Sequence, residues 1–262
     1  TPAQLKGVGI YNSFEIPAGG GGFADTTSFL YDGVDDYLDS NTTYSVLDTY
    51  GTSSKVTFSV WVKPTSAGGN WIFGNPRGVD TTNWGYLQFG FYIVAGSSSG
   101  TTMSFITNTQ SQYTRVSNTL VPLNVWSHIC IQVDLTASYY NRTQVYMNGG
   151  SALPKTSNGT FTFLQTLSSG ALRIGENPNT TAYGDWNGNI NEFAIFGDLV
   201  SPTTLYNGGS AGDLSTIPSI LNWWRSENGT WNGSAWDVTD AIGSVSLNSR
   251  NMVEAARVAD VP

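Results

Sequence analysis

The feature that most restricts how this chain can fold is an alternation of apolar and polar residues in short runs, each closed by Gly, Asn, Ser, Asp or Pro. A period of two puts successive side chains on opposite faces of an extended strand. In VTFSVWV, Val56, Phe58, Val60 and Val62 take one face and Thr57, Ser59 and Trp61 the other. In SHICIQVD, Ile129, Ile131 and Val133 point inward, opposite His128, Cys130 and Gln132. TQVYMNGG ends on Asn148-Gly149, a pair that favours a hairpin turn. Further strands are expected at 28–31, 71–73, 85–94, 104–107, 160–163, 171–175, 190–196 and 220–224. Helix signals are confined to SPTTLYNGG, where Ser201 can cap, Pro202 suits the first helical position and Asn207-Gly208 ends the turn. The expectation is an all-β fold, a two-sheet antiparallel β-sandwich or jelly roll with one short helix.

Charged residues make up only 11% of the chain but aromatic residues 13%, which points to a packed core rather than to disorder. The formal charge is −8, and the lysines and arginines are scattered singly, so a phosphate backbone is repelled and nucleic acid is excluded as a partner. No segment approaches the length of a membrane-spanning helix, so no membrane insertion is expected. Cys130 is the single cysteine; it can form no intrachain disulfide and reads as a small buried hydrophobe. A chain that begins Thr1-Pro2 is expected to be processed or to be a piece of a longer one.

Enzymatic chemistry finds little support. Glutamates occur at 15, 176, 192, 227 and 254, and none completes the E-x-D-x-x-E pattern that sets two carboxylates on one strand face. WNGNINEFAIFG places Ile190, Glu192, Ala194 and Phe196 on one expected face, with Asn191, Phe193 and Ile195 on the other. Glu192 then reads as a strand-edge polar residue that binds a backbone amide or an ion. His128 is the only histidine and lacks a G-x-S-x-G elbow, so it reads as structural. The four glycines at 19–22 lack the lysine and following helix of a phosphate loop. No catalytic residue is assigned.

Binding residues are easier to nominate. DGVDD packs Asp32, Asp35 and Asp36 into five residues, a hard-oxygen set suited to calcium or simply an Asp-rich turn. No cofactor is required, and Ca2+ is the one candidate. The polar loops NPRGVDTTNWGY and NPNTTAYGDWNG offer Asn75, Arg77, Asn83, Trp84, Tyr86, Tyr183 and Trp186 as a sugar-binding set. Their aromatic residues either form platforms for sugar rings or pin the loops to the sandwich. Trp223, Trp224 and Arg225 are of the types that dominate interfaces and are the candidate contacts to a neighbouring subunit.

Several segments in order, FLYDGVDDYLD, VTFSVWVKPT, WIFG, NVWSHICIQVD, QVYMNG and LRIGEN followed by WNGNINEFAIFGDLVSPTTLYN, resemble the laminin-G-like branch of the concanavalin A-like lectin/glucanase jelly rolls. The resemblance runs from about Ser28 to Asn207 and implies a calcium ion at one rim. It divides the chain into an N-terminal arm or loop (1–27), the jelly roll (28–208) and a Trp-rich C-terminal segment (209–262) that completes the sandwich or packs on a neighbour. The family's usual first strand has its nearest match here at the end, in ILNWWRSENGTW. That order, with the ending DVP, is similar to modules in structural proteins of marine tailed phages. The implied role is a non-catalytic virion surface protein, such as a capsid decoration, fibre or host-attachment component. Its expected partners are other virion subunits in a multimer and cell-surface glycans. The alternatives are a secreted bacterial carbohydrate-binding or adhesion module and, behind it, a glycoside hydrolase. The expected location is the virion surface or otherwise extracellular.

Overall fold

A computed structural model describes residues 23–42, 44, 55–76, 87–99, 101–107, 113–158, 170–176 and 184–262. Its strands are β1 (Ser28–Asp32), β2 (Tyr37–Asp39), β3 (Lys55–Pro64), β4 (Gly68–Pro76), β5 (Leu87–Ala95), β6 (Thr101–Thr107), β7 (Tyr113–Ser117) and β8 (Ser127–Asp134). They continue with β9 (Thr143–Met147), β10 (Lys155–Asn158), β11 (Arg173–Ile174), β12 (Asn187–Phe196), β13 (Ile220–Trp231), β14 (Trp236–Asp240), β15 (Leu247–Arg250) and β16 (Arg257–Val258). Among the described residues one α-helix, α1 (Pro202–Tyr206), follows β12.

The strands pair antiparallel in the order β10-β7-β6-β5-β4-β11-β2-β15-β14-β13-β12-β3-β8-β9, with β1 beside β12 and β16 beside β1. The sheet folds over on itself, and its two halves enclose one apolar layer. Phe58 of β3 meets Phe73 of β4 at 5.2 Å, Phe89 of β5 at 5.3 Å and Phe105 of β6 at 5.6 Å. Val56, Phe58, Val60, Val62, Ile129, Ile131 and Val133 all enter this layer, as their period of two requires. This is the sandwich that the alternation predicts.

On the outer face of β3, β8 and β12, a second layer gathers Cys130, Ala194, Phe196, Val200, Leu205, Leu214 and Trp223 under the segment that carries α1. Cys130 is buried there, and burial pushes its thiol pKa up. Pro202 opens α1 and Asn207 ends it in the left-handed region (φ 48°), but the Ser201 side chain makes no cap. Asn148 and Gly149 take the expected turn at φ 52° and 66°. After it, Leu153 returns one hydrogen bond to Val145, and β10 then crosses to pair with β7.

The C-terminal residues enter the sheet. β13 lies against β12, with Phe193 opposite Trp224 and Ala194 opposite Trp223, and β15 lies against β2. The indole of Trp224 stacks on Phe193 at 5.7 Å inside the core. Asp260 then locks the last turn by accepting from Lys63 Nζ at 2.6 Å and Trp126 Nε1 at 3.0 Å.

The strand that carries Glu192 departs from its expected faces. Opposite β3, Asn191 pairs with Trp61 and Ala194 with Ser59, so β12 holds one residue more than its partner. Glu192 absorbs the extra residue at φ 52°. Before this bulge Ile190 faces the main core; after it Phe193 and Ile195 do, while Ala194 and Phe196 face the outer layer. Ile190 therefore does not share a face with Ala194 and Phe196. Nor is Glu192 at a sheet edge, since β12 runs between β3 and β13.

Candidate functional site

β1 ends at Asp32, and the chain turns through Gly33 at φ 78°, a conformation that glycine adopts without a Cβ penalty. Asp32 Oδ1 accepts the Val34 amide at 2.8 Å, and Asp36 Oδ2 accepts the Asp32 amide at 3.1 Å. The turn brings carboxylate oxygens of Asp32, Asp35 and Asp36 within 4.8 Å of one another. Burial, reinforced by the charge of Asp32, pushes the Asp36 carboxyl up to about 6. Free carboxylate oxygens from three side chains are the donor set a calcium ion prefers, so these residues fit one.

A cleft of about 410 Å³ opens beside this turn, lined by Leu30, Tyr31, Asp32, Asp36, Thr65, Asn187, Val253, Ala255 and Ala256. Pairing of Asp32 with Asn187 sets the shared wall. Asn187 Nδ2 donates to the Asp32 carbonyl at 3.1 Å, and Thr65 Oγ1 donates to Asn187 Oδ1 at 2.5 Å. The volume falls within the usual range for small-ligand sites. Leu30, Asn187 and Val253 come from three distant stretches of chain, so no local pattern could have nominated them.

Glu192 sits in a second acidic cluster. Its Oε1 accepts Arg225 Nε at 3.1 Å and its Oε2 accepts Trp223 Nε1 at 2.5 Å. Asp25 and Glu227 bring carboxylate oxygens within 4.8 Å, although neither is near it in sequence. Burial raises Glu192 to about 8 against the opposing pull of Arg225, and burial raises Asp25 to about 6. Glu227 is also pushed up by burial, but the amides of Thr26 and Thr27, at 2.7 and 2.9 Å, hold it below the ordinary range.

Clustered carboxylates with pKa values driven apart also occur in retaining glycosidases, which set theirs roughly 5–5.5 Å apart. Access to this cluster is restricted. Glu192 is 2% exposed, and the cavity beside it holds about 20 Å³, room for one water and no sugar ring. Arg225 supplies the cluster's cation and lies over the rings of Phe23 and Trp223 at 4.4 and 4.9 Å. The group fastens residues 23–27 to β13.

The other nominated residues divide cleanly. Trp186 is fully buried in the core and presents no open ring face. Asn75 is also fully buried, and neither atom of its amide has a partner among the described residues. Arg77, Asn83, Trp84, Tyr86 and Tyr183 lie outside the described residues. Trp223 and Trp224 are each 3% exposed and Arg225 is half-buried within this chain's own fold, so the two indoles offer no face to a neighbour. His128 is buried between Trp61 and Tyr206, and burial pushes it down to about 3. It is neutral there, with Nε2 2.9 Å from Ser59 Oγ and no partner on Nδ1 among the described residues.

Comparison with known proteins agrees with the sandwich fold. A family model described as the concanavalin A-like lectin/glucanases superfamily, of laminin G type, matches residues 32–205. Among curated proteins no sequence match is found. A protein of Bacteroides ovatus, provisionally assigned as carbohydrate-binding, superposes with a TM-score of 0.62 at 15% identity over 88% of this chain. The chain spans 60% of that protein's length. The native heptameric SAP-like pentraxin of Limulus polyphemus superposes with a TM-score of 0.53 at 16% identity, over 85% of this chain and 94% of that one. At such identities the likeness is one of fold. With the greater part of its length matched by one family model and the sandwich seen strand by strand, the chain belongs to the concanavalin A-like lectin/glucanase superfamily.

Proposed function

We propose that this protein is a non-catalytic carbohydrate-binding module whose ligand occupies the cleft beside the acidic turn. The observation that carries this reading is the cleft itself, whose lining combines Asp32 and Asp36 with the aliphatic side chains of Leu30, Val253 and Ala255. A saccharide needs both, acceptors for its hydroxyls and an apolar surface for its C–H groups. Asp32, Asp35 and Asp36 would hold a calcium ion, which would supply a Lewis-acidic site for sugar hydroxyls.

The acids around Glu192 belong to the scaffold, because a one-water cavity admits no glycoside. A single open cleft of this kind binds weakly. Display in many copies, on a virion surface or another extracellular assembly, converts weak contacts into avidity. The virion setting is supported only by the similarity of the chain's C-terminal arrangement to phage modules.

The test is a glycan array with calcium present, followed by titration calorimetry of each hit. Weak monovalent binding that is lost in Leu30→Asp, with no glycosidase turnover, is the expected result. Hydrolysis that disappears in Glu192→Gln would overturn the reading.

A further inference from the structure

If the cleft binds carbohydrate, as proposed above, its two walls narrow the class of sugar it takes. Among the described residues, no lysine or arginine lines the cleft. Among the described residues no salt bridge reaches Asp32, Asp35 or Asp36. The neutral polar groups are turned the same way. Thr65 Oγ1 donates to Asn187, and Asn187 Nδ2 gives one of its two hydrogens to the Asp32 carbonyl, so most of the donor capacity of these two side chains is engaged. Without calcium this wall offers mainly acceptors, which take hydroxyl protons and repel a carboxylate, sulfate or phosphate, whereas an ion held by Asp32, Asp35 and Asp36 would offset part of that charge.

The rest of the lining is mostly aliphatic. Leu30 is 38% exposed and Val253 63% exposed, and Ala255 and Ala256 complete this part of the lining. Tyr31, the one aromatic residue of the lining, is 1% exposed and offers no open ring face. A flat sugar face docks best on a flat aromatic ring. A corner of branched aliphatic groups suits an isolated methyl instead, and leaving such side chains bare in water is unfavourable until something covers them.

We infer that the cleft selects uncharged saccharides carrying a methyl group, which lies against Leu30 and Val253 while ring hydroxyls face Asp32 and Asp36. A 6-deoxyhexose and an acetamido sugar both present that chemistry, and the experiment separates them. The full chain is titrated calorimetrically with each 6-deoxyhexose against the hexose of the same configuration, with N-acetylglucosamine against glucose, and with glucuronate. All titrations are run in calcium and again in chelator.

One added methyl in an apolar site is worth roughly tenfold or more in affinity, so at least one methyl-bearing sugar should lead its partner by that factor. Val253→Ser, at an exposed position, should shrink the ratio to about threefold or less by removing the methyl's contact. Equal affinity within every pair, or glucuronate binding tightest, overturns this inference and leaves the carbohydrate-binding reading standing. Failure of every saccharide to bind overturns both.

Discussion

Arg225 donates from Nε to Glu192 Oε1 at 3.1 Å across neighbouring strands, and this pair holds the only acid on β12. Removing Arg225 leaves Oε1 of the buried Glu192 carboxyl without its hydrogen-bond donor, which costs more than the pair contributes. Arg225→Ala should therefore destabilise the fold by about 3 kcal/mol, and Glu192→Gln combined with it should recover part of the loss. Urea denaturation of the two variants checks this.

Stability should fall as pH rises through neutrality. Glu192 and Asp25 have folded pKa values of about 8 and 6, above their ordinary values of 4.5 and 3.8. The folded state thus holds protons that the unfolded chain releases. Their contribution is complete below about pH 4 and is lost as pH climbs through 6 and then 8. Glu192→Gln should flatten the decline between pH 5 and 8 by on the order of 2 kcal/mol. Thermal scans across pH would show it, and an unchanged slope would place the proton elsewhere.

Calcium should raise the melting temperature, by an amount equivalent to about 2.7 kcal/mol when the ion stands a hundredfold above its dissociation constant. Asp36→Asn should remove most of the shift. Because Asp36 titrates at about 6, the wild-type response should weaken as pH drops below that value. An equal shift in the variant would exclude the turn as the site.

Gly33→Ala tests the turn's backbone. A Cβ there would lie 2.7 Å from the Asn187 Cβ, at a φ of 78° that alanine disfavours. A loss of about 1–3 kcal/mol is expected in chemical denaturation, with weakened ligand binding, since Asn187 forms the cleft wall.

Trp186→Ala should behave as a core deletion and cost about 3–5 kcal/mol, far more than removal of a surface platform. Equilibrium unfolding distinguishes the two.

The sandwich is legible in the sequence because its signal is local. Phe58 and Ile131 reach the core by the parity of their positions alone. Trp186 shows where that reading stops: a tryptophan in a polar loop looks the same in sequence whether it stacks on a ligand or fills the core. The cleft is hidden for a different reason. Leu30 and Val253 meet only because β1 pairs with β16, and nothing near either residue announces the other. Glu192 is misplaced by one residue of register. Its neighbours keep a clean alternation on paper, and only the pairing with β3 shows that the alternation slips.

That slip has a consequence for how β12 tolerates change in length. Losing a residue from the middle of a strand ordinarily turns every later side chain to the wrong side. Here the reverse holds. Without Glu192, Asn191 would run straight into Phe193, and Phe193 and Ala194 would stand opposite Val60 and Ser59 as a regular strand, each still facing its present layer. The acid is in effect a one-codon insertion that the sheet has accommodated, and it could be excised without shifting the register of anything downstream.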